Sequence, residues 1–192
     1  KTLLTTSCTD ALELSGLLLD LGSDSEVIIP SYTFVSTANA FALRGAKIVF
    51  ADSEKLTPNI DVDKIEQLIT PKTKAIVVVD YAGIPVDVER ILGISKKYNI
   101  PVIEDAAHAL GAQYAGQKMG KHFPFTVYSF QAIKHLTTID GGALQISDFT
   151  LYEKGKLIRW FGLDKNIDRL QNNITLQGFK YHMNNVNATI GL

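Results

Sequence analysis

Six short apolar runs alternate with helical stretches along the chain, and this alternation constrains the fold more than any other feature. The runs are Val27–Pro30, Lys47–Asp52, Ala75–Asp80, Pro101–Ala106, Val127–Phe130 and Gly142–Ser147. Each is apolar on both sides of the pleat, as expected of strands covered by helices on both faces. The helical stretches are Asp10–Leu21, Ser36–Leu43, Asp61–Ile69, Val86–Tyr98, Phe149–Phe161 and Asn184–Leu192. Leucines at 12, 14, 17, 18, 19 and 21 give the first of these a wide apolar face. Asp10 and Asp61 are candidate caps, with carboxylates able to accept from the first free amides of a helix. The pattern predicts an α/β fold of three layers, a mostly parallel sheet with helices on both faces. In such sheets ligands bind beyond the carboxyl ends of the strands.

Composition narrows the class. With 192 residues, 46% hydrophobic and 20% charged, the chain can bury a sizeable core and is not a disordered tail. Lys and Arg number 19 against 20 Asp and Glu, so the basic excess that phosphate-driven nucleic-acid binding needs is missing. One cysteine, Cys8, excludes an internal disulfide framework and a zinc site built on several thiolates. It suits a reducing compartment, and a cytoplasmic location is expected. No apolar run is long enough to span a bilayer. Length alone reads as one globular domain.

The strand exits carry the chemistry. No GxGxxG follows the first strand, and GxxxxGK[ST], GxSxG and HExxH are absent. This argues against a standard dinucleotide site, a P-loop, an α/β-hydrolase and a zincin. In EDAAHALGA, Asp105 and His108 leave an apolar strand three residues apart. Asp105 either caps the following turn or faces a cation, since an isolated buried carboxylate is costly. In SFQAIKHL, Lys134 lies among Phe130, Ala132, Ile133 and Leu136. It is a surface lysine or an amine made nucleophilic by lost hydration. Ser129, five positions earlier, offers a hydroxyl for a phosphate or for a structural bond. Ser7, Cys8 and Thr9 precede the first helix, whose free amides and dipole suit an anion. Phe34 is a core aromatic or a stacking platform. An anion-binding helix start, an aromatic, a carboxylate and a lysine together describe a pyridoxal phosphate (PLP) site.

SCTDALEL, VIIPSYTFVSTANAFALRGAKIVFAD, EDAAHALGAQYAGQKMG and SFQAIKHLTTIDGGAL resemble the PLP-dependent sugar-nucleotide aminotransferases of the DegT/DnrJ/StrS group. The resemblance runs to YHMNNVNATIGL at the end of the chain. It implies the fold type I large domain, with Lys134 as the Schiff-base lysine and Asp105 as partner of the pyridine nitrogen. It places His108 near the ring's 3-hydroxyl, Thr9, Asp10 and Ser129 at the phosphate, and Phe34 on the ring. It further implies a homodimer, in which His182 or Asn184 reaches the neighbouring subunit's phosphate site. The implied reaction moves an amino group from an amino acid, typically glutamate, to a keto group of a nucleotide-linked deoxysugar. No metal, nucleic-acid or membrane partner is expected. Residues 1–192 are expected to form the PLP-binding large domain alone, without the family's N-terminal segment and small C-terminal domain. Two other readings stay open: a non-catalytic PLP-binding, regulatory or inactive truncated relative, and a PLP-dependent sugar dehydratase. The second is disfavoured because the lysine is present.

Overall fold

The computed structural model describes residues 1–192. In chain order it contains β1 (Thr2–Thr5), α1 (Cys8–Leu18), β2 (Glu26–Pro30), α2 (Val35–Ala42), β3 (Lys47–Ala51) and α3 (Val62–Ile65). Then come β4 (Thr73–Val79), α4 (Val88–Tyr98), β5 (Val102–Asp105), β6 (Gln113–Tyr114) and β7 (Gln117–Lys118). The chain closes with β8 (Phe125–Ser129), β9 (Gly142–Ile146), α5 (Phe149–Ile158) and α6 (Asn185–Ile190).

Seven strands form one sheet in the order β1-β9-β8-β5-β4-β2-β3. Strands β3, β2, β4, β5 and β8 pair in parallel, while β9 runs antiparallel between β8 and β1. Strands β6 and β7 make a separate two-stranded hairpin. Alternate side chains divide the core in two. Val27, Ile29, Val77, Ile103 and Val127 face α1, α2 and α5, where Leu12, Leu14, Phe41 and Ile158 cover them. Ile28, Ile76, Val78 and Val102 face α3 and α4, where Val62, Ile65, Val88, Ile91 and Ile94 cover them. Burying one such Leu, Ile or Phe contributes about 1.5–3 kcal/mol. The three-layer, mostly parallel architecture is therefore as the residue pattern predicts.

Several local expectations are corrected. The cap of α1 is Ser7, whose hydroxyl accepts from the Asp10 amide at 3.0 Å. Asp10 lies inside the first turn, and its carboxylate accepts from the Thr6 hydroxyl. Asp61 does cap α3, but that helix lasts one turn before tightening into a 3-10 turn at Glu66–Leu68. Strand β3 is not covered on both faces: it is an edge strand, and Phe50 is 57% exposed. The first strand, β1, has no counterpart among the apolar runs. It is a four-residue strand paired with β9 along its length and bridged on its other side only at Thr5, by His182.

Candidate active site

The parallel strands align their carboxyl ends on one edge of the sheet. From β2 the chain moves outward to β3, then returns to the other side of β2 as β4. Helices α2 and α4 consequently lie on opposite faces, and a crevice opens beyond the strand ends at such a reversal. A cavity of about 720 Å³ lies there. Its walls come from the start of α1, the β2–α2 turn, and the exits of β4, β5 and β8.

Two helix N-termini face this cavity. At α1 the Ser7 cap leaves the first-turn amides of Cys8 and Thr9 without intrahelical acceptors. At α2 the cap position is Phe34, which gives no side-chain hydrogen bond, so that helix start is bare. Thr9 Oγ1 donates to Ser36 Oγ at 2.8 Å and ties the two starts together. Strand β9 comes so close to α1 that only glycine fits at its first position. A Cβ on Gly142 would stand 2.5 Å from the Cys8 nitrogen. Ser129, at the end of β8, is 7% exposed, and its hydroxyl accepts weakly from the Gln131 amide at 3.4 Å. Free amides, two positive dipole ends and three hydroxyls could hold an anion without a basic residue.

Asp105 ends β5 on the same wall and is 6% exposed. Its Oδ1 accepts from the Ala107 amide at 3.1 Å and its Oδ2 from the Thr37 hydroxyl at 3.0 Å. Burial raises its pKa, while those two donors, His108 and Lys134 act in the opposite direction. Asp105 thus caps its own turn and faces the cavity as well. The His108 ring stands edge-on to Tyr81, with centroids 5.3 Å apart. Its Nδ1 accepts from the Ala82 amide at 3.4 Å. Burial, then the Lys134 charge, lowers its pKa. A neutral ring accepting at Nδ1 carries its proton on Nε2. Burial, then Asp105, holds the Cys8 thiol well above its ordinary range, so it is not a thiolate nucleophile.

Lys134 lines the cavity, close enough to Asp105, His108 and Cys8 to bear on their titration. The apolar shell expected around it is not formed: Ile133 is 84% exposed and Leu136 42%. Phe34 is 74% exposed and stands open at the cavity. Thr9, Phe34, Asp105, His108, Ser129 and Lys134 are therefore brought together. Asp10 is not among the lining residues. His182 and Asn184 also lie apart from the cavity. His182 Nε2 meets Lys165 Nζ at 3.0 Å, beside Trp160, and Asn184 caps α6. Sequence reasoning missed Tyr32, Ser36, Thr37 and Tyr81. The signal for three of them was the polar density of SYTFVST directly after a strand.

A cofactor with an anionic arm and a planar ring bearing a basic nitrogen fits these groups. The bare helix starts take the anion, and Phe34 offers a face. The buried carboxylate of Asp105 would be relieved by a cationic N–H. No helix of the chain is long and apolar enough to cross a membrane.

Comparison with known proteins agrees. An uncharacterized protein of Methanocaldococcus jannaschii is 41% identical, over 97% of this chain and 50% of its own length. The structure of AtS13 from Actinomadura melliaura superposes with a TM-score of 0.95 at 39% identity, over 99% of this chain and 53% of that one. Spr1654 of Streptococcus pneumoniae, described as a sugar aminotransferase, superposes in its PMP-form with a TM-score of 0.91 at 32% identity. That match covers 100% of this chain and 53% of that one, and PLP-form and apo-form structures of Spr1654 match as well. The chain thus spans about half the length of these relatives. The sequence pattern of one family matches residues 1–192 throughout. The chain belongs to the DegT/DnrJ/EryC1/StrS aminotransferase family.

Proposed function

We propose that the chain is the cofactor-binding large domain of a PLP-dependent aminotransferase that aminates a keto group on a nucleotide-linked sugar, with glutamate as donor. One observation carries this reading. Asp105 is buried and held by two donors, in one cavity with Lys134 and two bare helix starts. The cavity residues divide the work by their chemistry. Amides at the starts of α1 and α2, with the hydroxyls of Thr9, Ser36 and Ser129, would hold the phosphate. Phe34 would cover the ring. Asp105 would accept from the pyridine N–H and His108 Nε2–H would donate toward the ring oxygen. Bound PLP supplies an electron sink that makes a proton on the donor's amine-bearing carbon removable. Lys134 Nζ is the amine placed to hold the aldehyde and then to carry that proton.

The sugar class rests on the description of Spr1654 and on the family. We also propose a homodimer in a reducing compartment. Phe34 and Ile133 stand open at the cavity, as residues covered by a second copy would. Capping α6 uses only Oδ1 of Asn184, so its Nδ2 would donate to a partner's phosphate, with His182 as the second reading.

The test is spectroscopic. Protein loaded with PLP should show a visible band that borohydride bleaches, and glutamate should convert it to the pyridoxamine phosphate spectrum. Lys134→Ala should show no such band. A band that glutamate leaves unchanged would mark a binding relative. Protein that takes up no PLP would overturn the proposal.

A further inference from the structure

Thr37 is the third residue of α2 and is fully buried. A buried β-branched side chain has little rotamer freedom, so its hydroxyl is fixed in direction. In the first turn of a helix such a hydroxyl ordinarily turns back to nearby backbone. Here it reaches across 68 positions of sequence to Asp105 Oδ2, at 3.0 Å. Thr33 Oγ1 lies 2.8 Å on its other side. Because Thr37 spends its only proton on the carboxylate, Thr33 must be the donor in that second bond. The three groups form a chain running Thr33 to Thr37 to Asp105.

The chain has two effects on Asp105. One donor on each oxygen, from Thr37 and from the Ala107 amide, stops the carboxylate from rotating. Donors also favour the ionised form over the protonated one. Helix α2, through Thr37, and the β5 exit, through Ala107, therefore grip one carboxylate from two sides.

We propose that Thr37 is a positioning residue, holding Asp105 ionised and aimed into the cavity, with Thr33 orienting the Thr37 hydroxyl. The proposal rests on the reading that Asp105 meets the ring nitrogen of the cofactor. The test therefore begins without cofactor. In the free protein, the carboxyl carbon of Asp105 is titrated by carbon-13 NMR and assigned by its loss in Asp105→Asn. Thr37→Val removes the hydroxyl at nearly constant shape. It should raise the Asp105 midpoint by about one to two pH units, the worth of a hydrogen bond to a charged group. Thr37→Ser should restore the wild-type midpoint, and Thr33→Val should shift it the same way by less. A midpoint unchanged in Thr37→Val overturns the proposal, even if that variant is less stable. If Thr37→Val does not fold, Thr37→Ala is titrated with the same expectation. With PLP and glutamate, Thr37→Val should keep its visible band but convert more slowly, at nearly unchanged glutamate KM. Wild-type protein that binds no PLP refutes the cofactor reading, while the free-protein titration still decides whether Thr37 governs Asp105.

Discussion

Ile139 has φ 72°, in the left-handed region that a β-branched side chain enters only under constraint. The constraint is visible on both sides of it. The Thr138 amide donates to Phe130 O at 2.9 Å, and its hydroxyl donates to Asp140 O at 2.8 Å. Asn187 of α6 donates to the same Asp140 carbonyl at 2.6 Å. Fixed at both ends, the loop between Lys134 and β9 leaves Ile139 no relaxed conformation. Its side chain is 63% exposed, so packing does little to offset the strain. The left-handed conformation costs an L-residue about 1–2 kcal/mol, and glycine's greater freedom in the unfolded chain takes back about 0.5–1 kcal/mol. Ile139→Gly should therefore stabilise the protein by up to about 1 kcal/mol, a rise of about 2–4 °C in Tm. A thermal melt checks it, and a lower Tm would show that Ile139 is anchored by contacts instead. Nothing in TTIDGG as a sequence warned of this strain, because the left-handed turn is imposed by partners at Phe130 and Asn187.

Strands β4 and β5 carry a second carboxyl arrangement on the face opposite Asp105. Asp80 and Glu104 are both fully buried. Asp80 accepts from the Val86 amide at 3.1 Å, and Glu104 from the Gly120 amide at 2.9 Å and the Thr126 hydroxyl at 2.7 Å. Asp80 Oδ2 and Glu104 Oε1 are left without other partners, and a proton on Asp80 satisfies both. Burial, then the Glu104 charge, pushes Asp80 up to about 8, and burial raises Glu104 as well. An unfolded aspartate titrates near 3.9. Between these values the folded chain keeps a proton that the unfolded chain releases. This contribution is full below about pH 4 and is lost as pH rises through 8, by at most about 1.4 kcal/mol per pH unit for one proton. Urea midpoints should fall from pH 5 to pH 8. Asp80→Asn keeps an acceptor for Val86 and a donor toward Glu104, so its midpoints should fall less steeply than those of the wild type. A variant with the wild-type slope would mean that the proton resides elsewhere.

The same strands show what the sequence made legible. AIVVVD is a long apolar run and PVIEDA opens on one, because helices cover both their faces, and they read correctly as buried strands. TLLT is half threonine, buries only alternate residues, and pairs with β9 about 140 residues away, so no local pattern marked it. At the site, Lys134 and Asp105 were legible because a cation and an anion at apolar strand exits need a reason. Thr37 was not, because a threonine in a helix is unremarkable until a carboxylate 68 residues away is seen to face it.

The cavity draws on elements spread from Ser7 to Asp140, so an occupant there can bind only the folded molecule. Binding is then linked to stability: PLP at 100 times its Kd should add about 2.7 kcal/mol. For a chain of this size that is a Tm rise of about 5–11 °C. The proposed site would hold the cofactor in two separate ways. Helix starts and hydroxyls would grip the phosphate, while Lys134 would grip the aldehyde from the β8 exit. Inorganic phosphate should therefore raise Tm by less than PLP, through the first grip alone. Lys134→Ala should keep the whole phosphate response and lose most of the additional gain from PLP. Replacing Thr9 and Ser129 together, by valine and alanine, should do the reverse, weakening the phosphate response first. Melts of the three proteins with each ligand decide between the assignments. If phosphate stabilised all three proteins equally, the Thr9 and Ser129 hydroxyls would take no part in holding the anion.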